Sequence, residues 1–127
     1  MTAGERILVV EDNEKNMKLF RDVLVATGYR TLEATTGIEA VDMASEHEPD
    51  LVLMDIQMPD LDGVQALQRL RADSRTAGIP VLALTAQAMH GDRERFLAAG
   101  FDGYLSKPVD VRQLLGTVRE HCDRVAR

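Results

Sequence analysis

Three short apolar runs constrain this chain more than anything else in it: Ile7 to Val10, Leu51 to Met54 and Val81 to Leu84. Each is four residues long and lies between helical patterns. Such runs fit strands buried on both faces of a parallel sheet, where no polar alternation survives. Two weaker strands are expected at Tyr29 to Ala34 and Phe101 to Leu105. Between the strands, apolar residues recur at helical spacing. Met17, Phe20, Val23 and Leu24 mark a first helix, with Asn13 as its N-cap and Gly28 as its stop. Ala40, Val41 and Ala44 mark a second, which ends before Pro49. Val64, Leu67 and Leu70 mark a third, with Arg69 and Arg71 near its end. A short, charged fourth helix is expected around Met89, Phe96 and Leu97, closed by Gly100. Val111, Leu114, Leu115 and Val118 line a fifth.

Strand and helix thus alternate five times. That order predicts an α/β fold, a doubly wound five-stranded parallel sheet with helices on both faces, (βα)5. A single domain is expected over residues 1–127, with its core at about 6–122. The hydrophobic content of 45% suits a globular core. The net charge of −6 disfavours nucleic acid as a partner. No apolar run approaches the roughly 20 residues of a membrane span, so no membrane partner is expected. One cysteine, Cys122, allows no internal disulfide, and the expected location is cytoplasmic.

In such a fold the carboxyl ends of all strands share one rim, where ligands bind. The first strand ends at Glu11 and Asp12, the third at Asp55, the fourth at Thr85, and the fifth at Ser106 and Lys107. Singly, each has an ordinary reading. Acids at a helix N-terminus are worth roughly 0.3–1 kcal/mol, and Thr85 and Lys107 are common turn and surface residues. Together, three carboxylates in one cleft raise one another's pKa values unless cations neutralise them. Lys107 supplies one charge, and a divalent cation the rest. Oxygen-only ligands point to Mg²⁺, with Mn²⁺ as a substitute. A carboxylate beside that metal can act as nucleophile toward a phosphoryl group, whose oxygens Thr85 and Lys107 would hold. The three histidines, His47, His90 and His121, fall far apart on helices or loops and read as solvent-exposed.

These residues resemble the receiver domain of bacterial response regulators. The likeness spans nearly the whole chain: Glu11-Asp12, Asp55, Thr85 and Lys107-Pro108 stand after the first, third, fourth and fifth strands. The resemblance implies the flavodoxin-like receiver fold and a division of labour. Asp55 would be the phosphoacceptor. Asp12 would bind Mg²⁺ directly, Glu11 through a water, and Gln57 through its backbone carbonyl. Thr85 and Lys107 would bind phosphoryl oxygens, and Tyr104 would be the aromatic switch residue. A cis bond is implied before Pro108. The implied partners are a sensor histidine kinase or histidine phosphotransfer protein. A downstream signalling protein would dock on the face made by the fourth helix, fifth strand and fifth helix. The chain would be a signalling phosphoacceptor of a phosphorelay, not an enzyme. Glu11 stands where many receivers carry aspartate, and its longer side chain still reaches a metal-bound water.

Two other readings fit the fold. A flavin binder needs a donor-rich loop after the first strand, but Glu11-Asp12-Asn13-Glu14 would repel a phosphate. A Mg²⁺-dependent phosphohydrolase needs a second acid near its nucleophile. Two residues past Asp55 stands Gln57, a carboxamide that cannot serve.

Overall fold

The third apolar run is the middle of the sheet. In the computed structural model, which describes residues 4–58, 60–86 and 92–125 (backbone alone at 92, 93 and 123–125), it forms β3, Leu51–Asp55, buried throughout. Beside it lie β1, Arg6–Val10, and β4, Val81–Thr85, with β2, Arg30–Ala34, and β5, Gly103–Ser106, at the edges. All pairs are parallel, in the order β2-β1-β3-β4-β5. Five helices follow them: α1, Glu14–Thr27; α2, Gly37–His47; α3, Gly63–Ala72; α4, Asp92–Ala99; and α5, Val111–Val125. The doubly wound fold expected from the alternation is the fold observed. Pro59, Met89 and His90, expected in loop or helix, lie outside the described residues.

Strand pleating sorts the core into two layers. Leu8, Val10, Val52, Met54 and Ala83 face Ala40, Ala44, Leu67, Leu70 and Phe96 of α2, α3 and α4. Ile7, Val9, Leu51, Leu53, Leu82 and Leu84 face Phe20 and Leu24 of α1 and Leu114 and Val118 of α5. The chain first winds from β1 to β2, then crosses back past β1 to β3. That reversal opens a crevice at the carboxyl ends of β1 and β3, where such folds place ligands.

Helix ends follow local chemistry. Asn13 caps α1 by accepting from Lys15 N and Asn16 N, and Gly28 closes it at φ 106°. Asp62 and Gln65 form a reciprocal capping box on α3. The edges depart from expectation. The fifth strand begins at Gly103, two residues late, because Asp102 turns back to accept Val81 N at 2.8 Å. Leu97 and Val111, expected on apolar stripes, are 42% and 40% exposed.

The loop after β3 is tied to α2. Asp60 accepts Gly37 N at 2.9 Å and Ile38 N at 3.0 Å, satisfying two donors of the helix N-terminus. These donors, Ile38 N first, hold the Asp60 carboxyl below its ordinary pKa. Gly37 packs so closely that a Cβ there would stand 2.3 Å from Leu61 O and 2.8 Å from Leu61 Cβ. Gly37→Ala is therefore expected to destabilise the fold by about 2–3 kcal/mol, because backbone must move. Urea unfolding measures this, and an unchanged midpoint would show that the loop yields freely.

Candidate functional site

Four strand ends deliver the site. β1 runs on into Glu11, whose N–H donates to Ala34 O at 3.0 Å, so the residue stays in the sheet and is 1% exposed. Asp55 closes β3 and is 4% exposed; Thr85 closes β4 and is 7% exposed. Ser106, the last residue of β5, stands opposite Thr85, and Lys107 N donates to Thr85 O at 2.7 Å. That bond fixes where the lysine side chain starts. The Lys107-Pro108 bond is cis.

The side chains then converge. Lys107 Nζ donates to Asp55 Oδ2 at 2.8 Å and lies 2.8 Å from Glu11 Oε1. The other Asp55 oxygen, Oδ1, accepts Gln57 N at 3.0 Å. One carboxylate oxygen each from Glu11, Asp12 and Asp55 falls within 4.8 Å of the others. Both Glu11 oxygens are fully buried without an aligned hydrogen-bond partner among the described residues, although Lys107 is close enough to pair ionically. Buried unsatisfied carboxylate oxygens are costly, and here they border on two further acids. A hard divalent cation is what such a donor set accommodates.

Electrostatics agree with the geometry. Burial, then the nearness of Asp55, pushes the Glu11 carboxyl up to about 7, while Lys107 pulls it back. Burial works against the charge on Lys107, but Asp55 and Glu11 outweigh it and hold its pKa above the ordinary value. Lys107 is not the solvated rim residue that its position in the sequence suggests: its side chain is 18% exposed.

A cavity of about 160 Å³ opens beside Asp55, bounded also by Gln57, Thr85, Lys107, Arg95 and Phe96. The residues singled out from sequence are placed together: Glu11, Asp12 and Asp55 as an acidic cluster, with Thr85, Lys107 and Gln57 on the wall of the cavity beside Asp55. Tyr104 stands apart, half-buried on β5, with its ring centroid 6.0 Å from that of Phe96. The expectation of exposed histidines fails for His121. It is 6% exposed, with Nδ1 2.9 Å from Thr117 O and Cε1 and Nε2 lying against Gly103. His47 is half-buried. Arg95 was not foreseen at the site, because nothing local marks which way α4 presents it.

The sequence pattern of the response regulator receiver domain matches residues 7–119. The chain belongs to that family. Receiver domains serve two-component signalling, and this one is similar to known members along most of its length. It is 47% identical over 115 residues to the polar-differentiation response regulator DivK of Brucella ovis, covering 91% of this chain and 94% of that protein. The receiver domain of sensor histidine kinase PA1611 from Pseudomonas aeruginosa PAO1, solved with a magnesium ion coordinated in its active site cleft, superposes with a TM-score of 0.87. The two are 39% identical, over 95% of this chain and 99% of that one. The Vibrio cholerae chemotaxis protein CheY4 superposes with a TM-score of 0.86 at 27% identity, covering 93% and 98%. Among the described residues of this receiver domain, no helix is long and apolar enough to cross a membrane.

Proposed function

We propose that this receiver domain takes a phosphoryl group onto Asp55 from a phosphohistidine of a sensor kinase or phosphotransfer protein. The phosphorylated surface then signals by a protein–protein contact. The observation that carries the reading is the Asp55 carboxylate, buried yet open to a cavity, paired with Lys107 and clustered with Glu11 and Asp12. An Asp55 oxygen attacks phosphorus, the P–N bond to the donor imidazole breaks, and the imidazole nitrogen leaves with the electron pair. With the other ring nitrogen of the donor protonated throughout, the products are an aspartyl phosphate and a neutral histidine. Lys107 and Thr85 hold phosphoryl oxygens in place, and the buried strands β3 and β4 beneath them strengthen both contacts.

Glu11, Asp12, Asp55 and the Gln57 carbonyl would hold Mg²⁺, or Mn²⁺ in its stead. The ion, when bound, offsets charge on the transferring phosphoryl group. The burial of both Glu11 oxygens within reach of Asp12 and Asp55 supports that assignment. The chain acts on itself and turns over no separate substrate, so it is a switch within a single domain. The cytoplasm suits such partners. Output is assigned to the face of α4, β5 and α5, because Thr85 and Tyr104 link the cavity to it.

Intact-mass spectrometry after incubation with acetyl phosphate tests the reading. One phosphoryl adduct is expected with Mg²⁺ and none with EDTA. An adduct that survives EDTA would overturn the metal assignment, and no adduct under either condition would overturn the acceptor.

A further inference from the structure

The cavity beside Asp55 carries two cations on its wall, and they come from different elements. Lys107 follows β5, whereas Arg95 projects from α4. Lys107 is already shared between Asp55 and Glu11, at 2.8 Å from each. An aspartyl phosphate carries about −1.5 to −2 charges and three acceptor oxygens. Lys107 has three N–H donors, and Asp55 and Glu11 already engage it, so it leaves most of those phosphoryl oxygens unmet. A second cation on the same wall meets that need.

Arg95 is suited to the task by its mounting. Its guanidinium carbon lies 5.0 Å from the centroid of the Phe96 ring. Phe96 is itself 2% exposed and wedged between Phe101 and Tyr104, each with its ring centroid 6.0 Å away. A guanidinium laid on a fixed ring loses less freedom on binding, and its planar fork matches phosphoryl oxygens. We propose that Arg95 binds the phosphoryl group on Asp55, taking oxygen lone pairs that Lys107 and Thr85 leave over. The residue belongs to α4, so α4 would read phosphorylation through a charge of its own. The Phe96–Tyr104 contact then passes any movement of α4 to β5. This inference rests on the phosphoacceptor role proposed for Asp55.

Beryllofluoride with Mg²⁺ serves as the phosphoryl probe, titrated by amide NMR and by calorimetry on the whole chain. Arg95→Gln is expected to weaken its binding about tenfold, the loss of one charge-assisted hydrogen bond. It should also shrink the amide shifts from Glu94 to Tyr104. Arg95→Lys keeps the charge without the fork and should recover part of the affinity. Arg95→Met, which keeps an apolar stem on Phe96, should bind as weakly as Arg95→Gln. An arginine that only stacks on Phe96 gives the opposite pattern: wild-type affinity in Arg95→Gln, with any loss confined to thermal stability. That result would overturn the inference and leave Asp55 standing. A wild-type chain that neither binds beryllofluoride nor gains an acetyl-phosphate adduct would overturn the phosphoacceptor reading, and this inference with it. If Arg95→Gln fails to fold, Arg95→Lys decides: affinity equal to wild type counts against the fork, and a several-fold loss supports it.

Discussion

Asp55→Asn protein, incubated with acetyl phosphate and Mg²⁺, is expected to gain no phosphoryl adduct while keeping its fold. The carboxamide is nearly the same shape as the carboxylate, and its oxygen can still accept either Gln57 N or Lys107 Nζ. Lys107 also keeps Glu11 as an ion-pair partner. What is lost is nucleophilicity, because the amide lone pair is delocalised and the group carries no charge to donate toward phosphorus. The effect is therefore all-or-none in labelling and small in stability, a separation that few other substitutions at this rim would give. Circular dichroism and intact mass on the same sample check both halves. An adduct of undiminished yield in Asp55→Asn would place the acceptor on another residue, with Asp12 the first to test.

The sheet and the acid cluster were legible in the sequence for a common reason. Central strands of a parallel sheet must be apolar on both faces, so β1, β3 and β4 stand out as unbroken runs, and whatever follows them must lie on the rim. Edge strands carry no such signature. Arg30, Thr31 and Glu33 in β2 are at most half-buried, and β5 starts late because a distant partner, Val81 N, draws Asp102 out of the extended run. His121 was readable in part: it lies seven residues after Leu114 and three after Val118, on the buried stripe of α5, and only its polarity argued for the surface. The hold of Asp60 on the start of α2 was not readable, since it joins loops 23 residues apart in sequence. Arg95 fails for the same kind of reason. Its neighbour Phe96 can be assigned to the core by type, but the arginine's place on the cavity wall depends on how α4 packs on the sheet.

The burial of Glu11 has a measurable price in the metal-free protein, and its sign is fixed by the direction of the shift. Its carboxyl is raised from an ordinary 4.5 to about 7. Between those values the folded chain holds a proton that the unfolded chain has released. Unfolding then releases that proton, so stability is fully present below about 4.5 and is lost as pH rises through about 7. The whole shift corresponds to at most about 3 to 4 kcal/mol. Protein in EDTA is thus expected to melt higher at pH 5.5 than at pH 8. Divalent cations reverse the trend. They bind the ionised carboxylates and compete with the proton, so the stabilisation by Mg²⁺ should grow over the same range, reaching about 2.7 kcal/mol at a hundredfold excess over its Kd. Glu11→Gln isolates the effect from Asp12, Asp55, Lys107 and the histidines: it should flatten the metal-free pH profile and weaken the response to Mg²⁺. Thermal melts of both proteins across pH 5 to 8, with and without Mg²⁺, supply the comparison. Identical pH slopes in the two metal-free proteins would show that the proton in this cluster is not held by Glu11.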